Sequence, residues 1–406
     1  MITTRCCIVG GGPAGMMLGL LLARAGVDVA VLEKHGDFLR DFRGDTVHPS
    51  TLELMHELGY LDDFLKVRHD EVKRIGIQIG DDFWPMADFT HLPAKCKYIA
   101  LMPQWDFLDF LADKARAFPG FHLHMKTKAT ELIAENGRIT GVRAETENGP
   151  EEFHAELVVG ADGRHSTVRA DAELELEETS APMDVLWMRI SRKDSDGEQT
   201  LGRIIPRHVL IMINRREYWQ CAFLIPKGSL EKIKAEGLDK FRETLVKLAP
   251  FLRDRVDELK DWDQIKLLTV VVDRLKQWHR RGLLCIGDCA HAMSPVGGVG
   301  INLAIQDAVA AANILWEPLR GSGIIAEELL TRVQERRTFP TRATQRMQVF
   351  AHENVIRPAL ANDAPVCAPL PVRLFKAIPL LQRIPARIVG MGFRPEHIRS
   401  PMMGVA

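Results

Sequence analysis

Tyrosine is scarce, with three in 406 residues, at Tyr60, Tyr98 and Tyr218. A site that grips a small acid through several phenol hydroxyls is hard to assemble from so few. Cysteine is present but unpatterned: Cys6, Cys7, Cys96, Cys221, Cys285, Cys289 and Cys367 include no CxxC pair. That argues against a disulfide scaffold and against the ligand spacing of zinc sites, so no metal is expected. No uninterrupted run of 18 apolar residues occurs, and no transmembrane helix is expected. Structural residues begin by Arg5, which leaves no room for a secretion leader; the expected compartment is the cytoplasm. An excess of one charge sign is missing too. The net charge is -1 with 26% charged residues, which points to neither a nucleic-acid surface nor an acidic solvating chain. Pairs such as Arg280-Arg281 and Arg336-Arg337 read as solvated helix ends or loop edges. Repeats and low-complexity stretches are also absent.

What is present is a 46% hydrophobic chain long enough for two interlocked domains. Cys6–Val9 reads as a buried strand. A Gly-rich turn, an apolar helix over Pro13–Arg24 and a strand over Val27–Leu32 complete a βαβ unit. Helices are expected over Thr51–Leu58, Gln104–Ala117 and 236–248. Strands are expected over Phe121–Met125, Thr130–Glu135, Ile139–Glu145, Glu151–Phe153, Glu156–Gly160, Val185–Ile190, His208–Asn214, Trp219–Leu224, Leu267–Val272 and Leu283–Ile286. From Gly300 to about Arg357 the chain reads as mostly helical. The predicted fold is α/β: a discontinuous Rossmann-type domain from 1–70, 101–182 and 268–355, an inserted antiparallel-sheet domain from 71–100 and 183–267, and a helical or irregular tail over 356–406.

Three segments carry chemistry. In Gly10-Gly11-Gly12-Pro13-Ala14-Gly15, Gly10 permits a tight turn, Gly12 lets backbone approach a pyrophosphate, and Gly15 lets helix pack on strand. Pro13 has no N–H of its own but opens the helix, whose start from Ala14 onward offers free N–H groups to phosphate. Glu33, at the end of the second strand, is placed to accept hydrogen bonds from an adenosine ribose. The second segment is Ala161-Asp162-Gly163-Arg164-His165-Ser166-Thr167-Val168-Arg169. The third is Gly287-Asp288-Cys289-Ala290-His291, followed by Pro295 and Gly297-Gly298-Val299-Gly300-Ile301-Asn302, where a helix opens.

These segments, in this order, resemble the class A flavoprotein monooxygenases, the single-component aromatic hydroxylases typified by p-hydroxybenzoate hydroxylase. The resemblance covers about residues 1–350. It implies FAD as cofactor and NADPH or NADH as co-substrate without a nucleotide fold of its own, consistent with the lack of a second GxGxxG. It implies hydroxylation of an electron-rich carbon through a flavin C4a-hydroperoxide. By position, Glu33 would bind ribose, and Arg43 would contact the flavin from a mobile loop. Gln104 would lie near the pyrophosphate and ribityl chain, Asp162 would serve FAD and the passing nicotinamide, and Asp288 would hold the ribityl chain. Pro295 would lie at the reactive edge, with Gly298, Gly300, Ile301 and Asn302 by the pyrimidine end. Cys289 stands where the family commonly has Ala, and Val299 where it has Gln or Lys. His291 reads either as a base or as a turn histidine bonded to backbone.

The substrate pocket is expected between flavin and inserted sheet, with Trp187, Arg189, His208, Leu210, Met212 and Trp219 as lining candidates, beside Cys221 and Phe223. With few tyrosines, a larger apolar ring substrate is favoured, together with dioxygen. In the tail, Val372, Leu374, Phe375, Ile378, Leu380, Leu381, Ile384, Ile388 and Val389 alternate with Arg373, Lys376, Arg383 and Arg387. That suits either a helix docked on the body or a weak peripheral membrane contact. A monomer or homodimer is expected. Two other readings keep the FAD segments: a reductase of a lipophilic, isoprenoid-like substrate, and a non-enzymatic redox sensor. A flavin halogenase would carry Trp-x-Trp-x-Ile-Pro, but this chain has Cys221-Ala222-Phe223-Leu224-Ile225-Pro226.

Overall fold

A computed structural model describes residues 1–39, 46–179, 181–197, 201–363 and 367–403. Arg43 therefore lies outside the described residues.

The first sheet runs, in space, His279–Arg280, Leu283–Cys285, Gly149–Gly160, Ile2–Val9, Val29–Leu32, Phe121–His124. Its central pairs are parallel, with Val9 level with Leu32 and Gly160, and Gly160 level with Cys285. A parallel strand buried on both faces has no need to alternate, which is why Cys6–Val9 is a continuous apolar run. Cys6 and Ile8 face the helices Pro13–Arg24 and Gly300–Arg320, while Cys7 and Val9 face the opposite core. The 300–320 helix belongs to a segment long and apolar enough to span a bilayer, but it is mostly buried as a core helix.

Two expectations about strands are corrected. Glu151–Phe153 and Glu156–Gly160 form one strand, Gly149–Gly160. Its first half pairs antiparallel with Arg138–Thr146 and its second half parallel with Ile2–Val9 and Leu283–Cys285. The side-chain pattern changes where the neighbours change, and so reads as a break. Conversely, Leu267–Val272 is not one strand. Lys266–Leu268 joins the second sheet and Val272–Leu275 pairs with Leu176–Thr179, so the intervening residues carry the chain between layers. The 51–58 helix begins earlier, at Pro49, where proline fits the first helical position.

The second sheet runs Lys266–Leu268, Met183–Ser191, Tyr218–Pro226, His208–Asn214, Leu201–Ile205, Arg74–Ile79, Asp82–Asp88. Period-2 alternation divides its strands. Leu186, Met188, Leu210, Met212, Trp219, Cys221 and Phe223 pack under the helix Leu238–Leu248 through Phe241 and Leu245. Val185, Trp187, Val209, Ile211, Ala222 and Leu224 face the other way, towards Val296, Val355 and Ile356.

The tail folds back on the body. Helices Leu370–Ala377 and Arg383–Met391 lie against the strand Asp82–Asp88, and the second also meets the Pro49–Glu57 helix. Gly390 sits where any Cβ would come within 2.8 Å of Leu92. Ahead of the 370–377 helix the tail also holds a short helix, Arg357–Ala361.

Leu210 is fully buried beneath the 238–248 helix. Leu210→Ala is expected to cost about 2–5 kcal/mol of stability, read as a lower urea midpoint at unchanged m-value.

Candidate active site

The parallel strands end flush, so the turns that follow them gather at one edge of the sheet. Gly10 N–H donates to Leu32 O at 2.8 Å, Ala161 N–H to Val9 O at 2.8 Å, and Ile286 N–H to Gly160 O at 3.0 Å. These bonds stitch the three glycine-bearing turns side by side at the carboxyl ends of the strands, where open α/β sheets bind ligands.

Packing separates the roles of the glycines. At Gly10 (φ +112°) a Cβ would lie 2.4 Å from Ala161 O, and at Gly15 it would lie 1.9 Å from Gly10 O. The protein itself requires both. Gly12 has extended backbone with φ -75°, and nothing lies within 4 Å of its Cβ position. No protein atom explains it; a ligand pressed onto the helix start does. Glu33 closes this cradle, its two oxygens accepting Gly11 N–H at 3.1 Å and His35 N–H at 3.0 Å. A carboxylate has about four acceptor positions, so this group can take a ribose hydroxyl as well. The open cradle and the anchored carboxylate fit an adenine dinucleotide. Gln104 opens the helix Gln104–Ala115, half-buried, with free N–H groups around it.

The second and third segments are stapled together. Asp162 accepts Ser166 Oγ–H at 2.5 Å and Thr167 N–H at 2.8 Å. Both of its oxygens thus hold their own turn. Arg169 is no loose surface charge, since it donates to Cys289 O at 3.0 Å and Arg164 O at 2.6 Å. Arg164 reaches the part-exposed Asp288 at 3.4 Å, at the cradle's rim. Cys289 is buried against Gly160 and Ser166, and burial pushes its thiol well above the ordinary range, so it acts as a packing residue.

Below this edge lies a charge network that sequence reading missed. Asp307, fully buried on the 300–320 helix, accepts Gly287 N–H at 3.1 Å, the His291 ring at 2.6 Å and Arg337 Nε–H at 2.8 Å. A carboxylate only accepts, so His291 Nε2 carries the proton. The His291 ring is thus bonded through Nε2 to this carboxylate and not to backbone, while its Nδ1 is buried with no hydrogen-bond partner among the described residues. Burial pushes the Asp307 carboxyl up, but His291 and Arg337 outweigh it and hold its pKa below the usual range. Arg337 continues to Glu396, which also takes both forks of Arg336 at 2.7 and 3.0 Å. The reading of Arg336-Arg337 as a solvated helix end is corrected accordingly.

The third segment meets the residues from Thr46 to Thr51. Asn302 accepts His48 N–H at 2.9 Å and Thr51 Oγ–H at 2.7 Å, and donates to Thr46 O at 3.2 Å. Thr46 Oγ donates to Gly298 O at 2.8 Å, and Gly298 (φ +63°) has no room for a Cβ beside Thr46. Asn302 therefore holds backbone with its side chain, while Gly300 and Ile301 open the helix and leave its first N–H groups free. Val299 is buried, in a crevice with Leu303, Pro340 and Met391. Pro295 leads into Val296, which packs towards the inserted sheet, and Ser294 is tied to His352 at 2.8 Å behind it.

This geometry sorts the pocket candidates. Trp187 shares the sheet face turned to Val296; Arg189 lies farther along it, exposed and over the Tyr218 ring. Leu210, Met212 and Trp219 are core on the opposite face, with His208 beside Phe223 there. Their pocket assignment is corrected: strand alternation paired them properly but could not say which face met the cofactor.

Residues 3–347 match the family model of the FAD binding domain. The chain is 31% identical over 406 residues to 6-methylpretetramide 4-monooxygenase of Streptomyces rimosus, across 98% of this chain and 95% of that protein. The chain belongs to the class A FAD-dependent monooxygenases. Rifampicin monooxygenase of Rhodococcus hoagii is 26% identical over 76% of this chain, and the match spans 62% of that longer protein. In fold the monooxygenase resembles p-nitrophenol 4-monooxygenase of Pseudomonas putida (TM-score 0.77, 18% identity, 96% of this chain and 98% of that one). It also resembles anhydrotetracycline hydroxylase of S. rimosus (TM-score 0.72, 20% identity, 96% and 76%). Oxygenation, not isoprenoid reduction or redox sensing, is the activity this membership carries.

Two tests follow. Gly12→Ala in this monooxygenase should fold with near-normal stability yet lose FAD affinity by about tenfold or more, because backbone must approach the pyrophosphate there. Gly15→Ala should lose stability first. Flavin absorbance per chain and apo-protein melting separate the two. The second test concerns pH. His48 is fully buried beside Val389, and burial lowers its pKa from 6.5 to about 4. Between those values the unfolded chain binds a proton that the folded chain does not, so stability falls as pH drops from 6.5 to 4. The loss should total about 3 kcal/mol. His48→Gln should flatten the urea-stability slope in that window by about one proton.

Proposed function

We propose that this monooxygenase hydroxylates an apolar, fused-ring aromatic substrate, using NADPH or NADH as electron donor. The observation that carries the reading is the sheet face opposite the Pro295–Val296 turn. Val185, Trp187, Val209, Ile211, Ala222 and Leu224 make it apolar, and its charged groups, Arg189 and Lys266, stand exposed at its edges. Such a surface offers dispersion and shape to a ring system. The name of the 31%-identical relative, a pretetramide monooxygenase, agrees with a multi-ring substrate.

The balance is one aromatic C–H, dioxygen, NAD(P)H and a proton giving phenol, water and NAD(P)+. Bound FAD supplies the redox chemistry. Glu33 would hold the ribose. The N-terminus of the Pro13–Arg24 helix would take the pyrophosphate, and the free N–H groups at Gly300 and Ile301 would favour negative charge at the pyrimidine end. Trp187 and its neighbours orient the rings and exclude water, and orientation is worth several kcal/mol in such reactions.

The test is incubation with each nicotinamide nucleotide, labelled dioxygen and a panel of fused-ring phenols against single-ring acids, read by mass. A fused-ring product gaining one labelled oxygen supports the reading; turnover of single-ring acids alone overturns it. Trp187→Ala should raise KM and divert electrons to peroxide, whereas Leu210→Ala should leave both near wild type while lowering stability.

A further inference from the structure

The helices Leu370–Ala377 and Arg383–Met391 bury one side on the body through Val372, Ala386 and Met391. Their other side is apolar as well. Leu370, Leu374, Ile378, Leu380 and Ile384 are between 41% and 69% exposed. Leu370, Leu374 and Ile378 recur every four residues, the spacing of one helical face. Isolated exposed leucines are ordinary, but five on consecutive short elements form a patch.

The tail's own charge has one sign. Between Asp363 and Glu396 the sequence has no acidic residue, and it carries Arg373, Lys376, Arg383, Arg387 and Arg394. Lys376 lies over the Trp84 ring and 3.9 Å from Asp82. Arg383 and Arg387, which flank Ile384, form no ion pair among the described residues. A second copy is a poor occupant. A two-fold contact would set this patch against itself, bringing the same unpaired arginines together. Apolar side chains ringed by cations instead match an anionic bilayer, where acyl chains take the leucines and headgroups take the arginines.

We propose that residues 370–387 form a docking surface for anionic membrane, holding the enzyme on the bilayer without spanning it. The test uses the FAD-loaded full chain in vesicle flotation. Vesicles of phosphatidylcholine containing about one third phosphatidylglycerol should carry most of the protein up at about 0.1 M salt. Phosphatidylcholine alone, or about 0.5 M salt, should carry little. Leu374→Glu with Ile378→Glu, and separately Arg383→Glu with Arg387→Glu, should each weaken binding by about tenfold or more at unchanged flavin content and melting temperature. These positions are on the outer surface, so the fold should survive the changes. The proposal is overturned if wild type fails to float, if it binds neutral and anionic vesicles equally, or if the variants bind like wild type. It is also overturned if light scattering finds a dimer that Leu374→Glu dissolves, which would make the patch a contact between copies.

Discussion

One buried carboxylate ties the cofactor edge to the rest of the molecule. Asp307 has no exposed surface, and its oxygens accept from Gly287, His291 and Arg337. An ionised carboxylate in an apolar core is costly unless it is paired and hydrogen-bonded on several sides. Here each partner belongs to a different element: the turn after the last parallel strand, the loop beyond it, and the 327–351 helix. Satisfying the charge therefore fixes three backbones at once. Through Arg337 the constraint reaches Glu396, so the last described residues are fastened to the same point.

The consequence for the site is rigidity on one side and choice on the other. The 300–320 helix is anchored by Asp307 at its middle and by Asn302 near its start. Its free N–H groups are thus aimed by the packed core and not by the mobile reach of a loop. The Gly10–Gly15 turn, Glu33 and the stapled 161–169 and 287–291 segments complete a frame whose hydrogen bonds are mostly internal. Across from it, the inserted sheet supplies a face of aliphatic groups and Trp187, where substitutions change shape without disturbing charge.

Much of this was legible in the sequence because it rests on local geometry. The GxGxxG turn, the buried strand before it and Glu33 after it are placed by spacing alone. The discontinuous layout followed from where patterning changes period. Pairs that depend on tertiary approach were not legible. Nothing around Asp307 or Arg337 marks them as partners thirty residues apart on two helices, and an arginine in a polar helix reads as solvated. The pocket failed for a related reason. Alternation groups Leu210 with Met212 and Val209 with Ile211, but only the positions of the 238–248 helix and Val296 show which group packs on that helix and which faces the Pro295–Val296 turn. The single strand Gly149–Gly160 was read as two because its neighbours change halfway along.

The most direct test of this account is the variant Asp307→Asn, with FAD affinity and unfolding free energy measured on the same preparation. The change keeps size and removes the charge that organises the network. The account predicts a loss of about 3–5 kcal/mol in stability, as for breaking a buried ion pair, together with clearly weaker FAD binding because Gly287 and His291 lose their anchor. Wild-type FAD affinity and wild-type stability in the asparagine variant would contradict it.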